Sequence, residues 1–381
     1  MTDDKLIQLP TIDPIILTDV VRQDQRSPRF EITTWSVRRL SDKGMTNPDG
    51  LWFLSGEGRD EESSRSWSLA LKIFQRPEQE TLPSDLWYWK RELLLAQSSL
   101  LDHLPGPIKA PRFYRAEETA TGALLWQEYV EPRSLGTTWG LAEYTFAAYQ
   151  LGCWNGACAT STPLPTESWL TRQHYLSWYT EANPEQDFQF ALNQQYITGT
   201  LRASYDRLWA ERARFYRTLE LLPQTFSHFD SQRRNLFIRQ GSNTQDELVL
   251  IDWAFCGLGP LGAELYGLVS MSATLLDWPP NEVAHLDTAV FVHYLRGLHE
   301  AGWRGDADNV RLGYVAWVAT WFGVVLPNAF ALWCAPEFRQ RAVHAFGLAE
   351  EDLYLQWLPI LSYALNCADE AQLLMEKLHL P

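Results

Sequence analysis

The segment Ser227-His-Phe-Asp-Ser-Gln-Arg-Arg-Asn-Leu-Phe-Ile238, followed by Leu250-Ile-Asp-Trp-Ala254, decides how this chain is read. Asn235-Leu-Phe-Ile-Arg239 and Leu248-Val-Leu-Ile-Asp252 are short apolar runs on either side of a polar turn at 240–247, the pattern of a hairpin. In a hairpin the first residue of one strand lies beside the last residue of the other. Asn235 opens the first strand and Asp252 closes the second, so their side-chain oxygens are expected to meet at one end. A carboxamide and a carboxylate at a loop end suit Mg2+, which takes a few hard oxygen ligands and completes its shell with water and phosphate. Asp230 lies five residues before Asn235, on the loop entering the same end, where it can orient a substrate hydroxyl as a base. Singly, each of the three is ordinary turn or strand-end polarity; their joint spacing points to a site.

Upstream, the chain reads as a small β-rich half. Phe30–Val37, Leu51–Leu54 and Trp67–Phe74 are strand candidates joined by turn-rich stretches at 41–50 and 56–64. A helix is predicted over Leu86–Leu101, then strands at Pro111–Arg115 and Ala123–Val130. Composition shifts at Glu131–Gly136. Beyond it, apolar residues at helical spacing mark segments near 140–158, 168–181, 195–221, 283–301, 308–326 and 350–378. The expected organisation is therefore a polar leader at 1–28, an N-terminal lobe at 29–130 and a helical C-terminal lobe at 131–381.

The H-x-D-x-x-x-x-N spacing at 228–235 and Ile251-Asp-Trp253 resemble the protein-kinase-like fold, specifically its aminoglycoside phosphotransferase/choline kinase branch. The resemblance implies a bilobal α+β fold: a small antiparallel sheet with one helix, and a larger, mainly helical lobe. It implies that Lys72, in Leu69-Ala-Leu-Lys-Ile73, reaches the nucleotide phosphates, and that Glu92, 20 residues later, is its ion-pair partner. Gln127-Glu-Tyr-Val130 resembles the hinge whose backbone groups bind adenine: Gln127, Glu128, Tyr129 and Val130. Asp230 takes the catalytic position, Asn235 and Asp252 hold Mg2+, and ATP is the phosphate donor to a hydroxyl on a small molecule of aminoglycoside, choline or sugar type. Protein substrates are not expected, since no Ala-Pro-Glu stands in the stretch soon after Asp252 where protein kinases carry it.

The chain departs from the family pattern in places. Phe229 stands where these kinases usually have glycine, and no G-x-G-x-x-G lies between the first two strands. Both departures favour an alternative, a nucleotide-binding pseudokinase without turnover. Glu264 stands where the family often has aspartate, and a structural role is expected of it. His228 is likewise expected to hydrogen-bond within its loop. Gly257-Leu-Gly-Pro-Leu-Gly262, with Asp277 20 residues beyond Gly257, is a literal dinucleotide fingerprint, but the strand before it belongs to a hairpin, not to a parallel sheet.

Composition sets the outer bounds. Charge sums to −15, from 32 Lys+Arg against 47 Asp+Glu, which argues against nucleic acid and anionic membranes as partners and suits a cationic acceptor. Five scattered cysteines give neither a disulfide framework nor a zinc ribbon, and the acidic start lacks a signal-peptide profile, so a cytoplasmic setting is expected. Leu312–Pro336 carries no charge and is long enough to span a bilayer. Pro327-Asn328 interrupts it, so a buried helix pair broken at the proline is expected instead. Nothing in the sequence indicates an oligomeric state.

Overall fold

A computed structural model of the chain describes residues 9, 11–40, 50–61, 63–131, 139–161, 163–172, 182–241, 245–333 and 345–381. Strands β1 (Glu31–Arg39), β2 (Gly50–Arg59), β3 (Ser64–Gln75), β4 (Phe113–Thr119) and β5 (Gly122–Glu128) form one antiparallel sheet in the order β1-β2-β3-β5-β4. Alternation along β3 and β5 gives the sheet two different faces. Leu69, Leu71, Ile73 and Trp126 point to one face and are buried there with Phe30 and Leu54. Phe74, Ala123 and Leu125 point to the other, with Leu93 of helix α2 (Arg91–Gln97). Lys72 pairs with Leu125 and Ala70 with Gln127, so Lys72 and Gln127 share the α2 face.

The first face is closed by a helix that the sequence reading treated as a polar leader. Helix α1 (Pro14–Asp24) starts where the Asp13 carboxylate accepts from Ile15 N at 2.8 Å and Pro14 supplies a pre-set first turn. Its Leu17, Val20 and Val21 are buried against the sheet. The 1–28 segment is thus in part a structural layer of the small lobe. A second correction concerns 56–64, read as a turn. β2 runs on to Arg59 because its glycines make room for rings: a Cβ at Gly58 would sit 2.2 Å from the Phe30 ring.

α2 is shorter than predicted at both ends. The carbonyls of Pro83, Asp85 and Leu86 are taken by the Arg91 guanidinium, which removes that stretch from a helical ladder, and Ser98 turns to extended backbone at ψ 170°.

The rest is largely helical: α3 (Leu141–Thr160), α4 (Gly199–Leu221), α5 (Val283–Glu300), α6 (Ala307–Val318), α7 (Val324–Trp333) and α8 (Glu350–Lys377). Of the helix expected at 168–181, residues 168–172 are not helical, Thr171 instead bridging to Gly257, and 173–181 lie outside the described residues. The uncharged stretch does not break at its proline. Helix continues from α6 through a π turn (Ala319–Gly323) into α7, with Pro327 inside. The π turn ends at Gly323, whose carbonyl would otherwise face the N–H that Pro327 lacks. Ala307–Leu332 is the one helix among the described residues long and apolar enough to cross a membrane, and 72% of its most apolar window is buried within the fold.

Two short strand pairings and one isolated bridge bring the site together. β6 (Gln224–Ser227) pairs with β9 (Gly257–Pro260), and β7 (Leu236–Gln240) with β8 (Asp246–Leu250). Lys109, from the small lobe's α2–β4 connection, exchanges hydrogen bonds with β8 (Lys109 N to Leu248 O, 2.9 Å; Leu250 N to Lys109 O, 2.8 Å) and so ties that lobe to the hairpin.

Candidate active site

Leu236 faces Leu250 across the hairpin, and Ile251 N donates to Asn235 O at 3.0 Å. Asn235 and Asp252 therefore flank the same hairpin end, each just outside the strand it was expected to terminate. Asn235 Nδ2 donates to Asp230 Oδ2 at 2.6 Å and to Asp230 O at 3.0 Å. With its nitrogen committed to Asp230, the amide presents oxygen as its remaining polar atom.

Lys72 Nζ is buried between two carboxylates, 2.6 Å from Glu92 Oε2 and 2.7 Å from Asp252 Oδ1. Burial acts to lower the Lys72 pKa, but the two anions outweigh it and hold the ammonium charged beyond its ordinary range. Burial likewise acts to raise the Asp252 pKa, and Lys72 reverses that, keeping the carboxylate ionised. Asp230 goes the other way. Burial, then the charge of Asp252, push its carboxyl well above the usual range, while hydrogen bonds from Asn235 and Gln232 pull back. Asp252 remains a third exposed at its side chain. One carboxylate oxygen faces the ammonium; the other oxygen and the carboxamide of Asn235 are the hard donors that a divalent cation takes.

Two strained residues shape this site. Phe229 (φ 58°) and Asp252 (φ 62°) both occupy left-handed backbone, rare for side chains of their size. Phe229 thereby adopts the conformation for which glycine is usual, so the substitution leaves the turn possible. Its ring is fully buried, stacks on Trp317 at 5.0 Å, and lies over Gly259, where a Cβ would come within 2.5 Å of it. Tyr266 Oη donates to Phe229 O.

His228 is fully buried, facing Ile251 O through Nε2 (3.0 Å) and accepting from Asp230 N at Nδ1 (3.2 Å). Burial lowers its pKa to about 4, so it is a neutral spacer that fixes the loop, as the sequence suggested. Glu264 accepts from His228 N at 2.7 Å, and its carbonyl accepts from Ser231 Oγ at 2.7 Å. Burial raises the Glu264 pKa to about 7.

The hinge residues fall into two groups. Gln127 and Val130 are buried, and Tyr129 packs edge-on against Phe53 at 4.5 Å. Glu128 is half-buried and accepts from Arg112 N (3.1 Å) and Arg239 Nη1 (2.7 Å), joining the hinge to β7. A cavity of about 360 Å³ opens here, lined by Phe53, Ser55, Ser68 and Tyr129 among others; Asp230, Asn235 and Asp252 are not in its lining.

The rival glycine motif is explained by packing. Gly257–Pro260 is strand β9, a Cβ at Gly257 would strike Thr171 O at 2.0 Å, and Asp277 pairs with Arg234 at 3.0 Å. Glu143 caps its own helix, accepting from Gly140 N at 2.9 Å. The four described cysteines are free and buried. The sequence reading missed the direct Lys72–Asp252 pair, 180 residues apart in the chain, and the part played by Tyr266. Only the position of Tyr266, two residues after Glu264 on the same turn, could have pointed to it.

No curated protein sequence matches significantly. Among solved structures, the chain is similar to the amicoumacin kinase hAmiN in complex with AMP-PNP and Ca2+ (15% identity, 87% of this chain and 88% of that one, TM-score 0.50). It also matches a microcompartment-associated aminopropanol kinase (14% identity, 96% and 98% covered, TM-score 0.47). A third match is an aminoglycoside phosphotransferase from Alicyclobacillus acidocaldarius (14%, 96% and 98%, TM-score 0.47). Identities this low speak to fold alone, and the fold is kinase-like. The family model described as "Phosphotransferase enzyme family" (APH) matches residues 65–305, from β3 past α5. A match over that span, with Lys72, Asp230, Asn235 and Asp252 inside it, means that the chain belongs to the APH phosphotransferase family.

Proposed function

We propose that the protein transfers the γ-phosphoryl group of ATP, in the presence of Mg2+, to a hydroxyl of a small molecule. The observation that carries this reading is the convergence of Lys72, Glu92, Asp252, Asn235 and Asp230 from four separate parts of the chain. In this reading Asp252 and Asn235 hold the metal through oxygen, and Lys72, aligned by Glu92, meets phosphate charge. Bound Mg2+ supplies charge neutralisation on the phosphate oxygens. Asp230 orients the acceptor hydroxyl and takes its proton as the oxygen bonds to phosphorus and ADP leaves. A carboxyl held above its usual range is the stronger base for that proton transfer. The hinge, Gln127, Glu128, Tyr129 and Val130, takes the base through backbone groups.

A net charge of −15 favours an amine-bearing acceptor over a polyanion. The pseudokinase alternative loses one of its two supports, because Phe229 holds the left-handed turn that glycine would give. The stretch where a glycine-rich loop was sought, 41–49, lies outside the described residues.

The test is phosphate transfer from labelled ATP to a panel of amino alcohols, aminated sugars and plain sugars, with Asp230→Asn beside the wild type. Expected are Mg2+-dependent labelling of at least one acceptor and loss of about 10²–10⁴-fold in rate in the variant, with MgATP binding retained. Wild-type turnover in Asp230→Asn would assign the base elsewhere.

A further inference from the structure

The residue before Glu92 has a role that the site described so far does not include. Arg91 is fully buried, and its guanidinium is committed to main-chain carbonyls: Nε to Trp169 O (2.8 Å), Nη1 to Leu86 O (2.7 Å) and Ala254 O (2.8 Å), Nη2 to Asp85 O (2.5 Å) and Pro83 O (3.3 Å). Five donors meet five carbonyls, the full capacity of the fork. The carbonyls come from three places. Pro83, Asp85 and Leu86 precede α2 in the small lobe; Trp169 belongs to the helical half; Ala254 stands two residues after Asp252.

Glu92 acts on the same segment. Its Oε1 accepts from Trp253 N at 3.3 Å while Oε2 holds Lys72. Consecutive side chains of one helix thus grip the N–H of Trp253 and the carbonyl of Ala254, just after the left-handed Asp252. Nearby, Thr171 N donates to Cys256 O and Leu258 N to Thr171 O, so the strip that presents Trp169 is itself fastened to the chain beyond Ala254. A buried cation in so polar a setting is costly to keep unless its fork does what a neutral donor could not. Joining three segments at once is such a task.

We propose that Arg91 is a positioning residue: it clamps α2 to the Asp252–Ala254 segment, so that the Lys72–Glu92 pair and the Asp252 carboxylate form and open as one unit. The clamp makes assembly of the site intrinsic to the chain. It acts through Glu92 and Asp252 and touches neither nucleotide nor acceptor. Its consequence for metal use rests on the function proposed above; its mechanical part does not.

The mechanical part is tested on the protein without nucleotide by native-state amide exchange in rising sub-denaturing urea. Expected in the wild type is that amides of α2 and Trp253 open together with one common urea dependence. Separate openings would overturn the proposal. In Arg91→Lys, which keeps charge and length but loses the fork, exchange at 252–256 should quicken at least tenfold while the β7–β8 hairpin stays at wild-type protection. Loosening confined to 82–86 would reduce Arg91 to a local brace and refute the clamp. The kinetic arm measures the Mg2+ concentration for half-maximal phosphate transfer, which should rise at least fivefold in Arg91→Lys at a temperature where both proteins are fully folded. An unchanged Mg2+ requirement would also refute the clamp. If the wild type transfers no phosphate to any acceptor, the proposed function fails, and the exchange arm still decides the role of Arg91.

Discussion

Phe229 offers a test in which the usual order of alanine and glycine is reversed. Its ring is wholly buried between Trp317 and Gly259, and its backbone is left-handed at φ 58°. Removing a buried phenylalanine ring costs about 3–5 kcal/mol. Left-handed backbone costs a side-chain-bearing residue about 1–2 kcal/mol, a cost that Phe229→Ala retains and Phe229→Gly sheds. Glycine's extra freedom in the unfolded chain returns roughly 0.5–1 kcal/mol of that. Both variants should therefore be destabilised by several kcal/mol, with Phe229→Gly the more stable of the two by up to about 1.5 kcal/mol. The assay is urea unfolding of the three proteins, followed by far-ultraviolet circular dichroism and tryptophan fluorescence. Because His228 N to Glu264 and Asn235 to Asp230 do not depend on the ring, both variants should retain phosphate transfer at low temperature. An alanine variant at least as stable as the glycine variant would show that the turn is unstrained. Wild-type stability in both would show that the ring contributes nothing.

Three further outcomes are expected. Asp252→Ala should abolish the Mg2+-dependent part of ATP stabilisation in a thermal shift assay, since the hairpin end keeps only a neutral oxygen donor; intact Mg2+ dependence would place the metal elsewhere. Glu264 titrates at about 7 in the fold against 4.5 as a free side chain, so its contribution to stability is fully present below about pH 4.5 and is lost as pH rises to about 7. That is about 3 kcal/mol at most, and Glu264→Gln should remove this slope from unfolding measurements across that window while the wild type keeps it. Arg311 bonds both oxygens of the buried Asp287 (2.6 and 2.9 Å) and reaches Glu370, so Arg311→Met should cost about 3–5 kcal/mol by leaving Asp287 uncompensated. Recovery of most of this loss in Arg311→Met/Asp287→Leu would confirm the cause, and no recovery would refute it.

What was legible in the sequence follows from where its information is local. The strands over Trp67–Phe74 and Ala123–Val130 were legible because an apolar and aromatic run bounded by turn residues is written into neighbouring positions. Helix α1 was missed although Asp13-Pro14 is a start signal, since three prolines and a polar composition outweighed the spacing of Leu17, Val20 and Val21. The strand in 56–59 was missed because glycine there answers to Phe30, a contact that only the folded sheet creates. The end of α2 was misplaced for the same kind of reason. Carbonyls at 83–86 leave the helical ladder for Arg91, and propensity knows nothing of a side chain that competes for them.

The site itself was legible where chain neighbours define it and hidden where distance does. Asp230, Asn235 and the hairpin lie within one short stretch, so their meeting could be worked out from strand pairing alone. The Lys72–Asp252 contact joins the small lobe to the hairpin, and nothing in either local pattern requires it. That contact changes how the charges balance. Two carboxylates, Glu92 and Asp252, share one ammonium, so with Lys72 occupied on both sides the pair carries a net negative charge toward the hairpin end. Burial first, and then the charge of Asp252, raise Asp230. One ammonium thus stands among three carboxyl groups, those of Glu92, Asp252 and Asp230. A metal held at Asp252 and Asn235 would offset part of the charge that raises Asp230, so the fraction of Asp230 that is ionised and able to accept a proton would rise with metal binding.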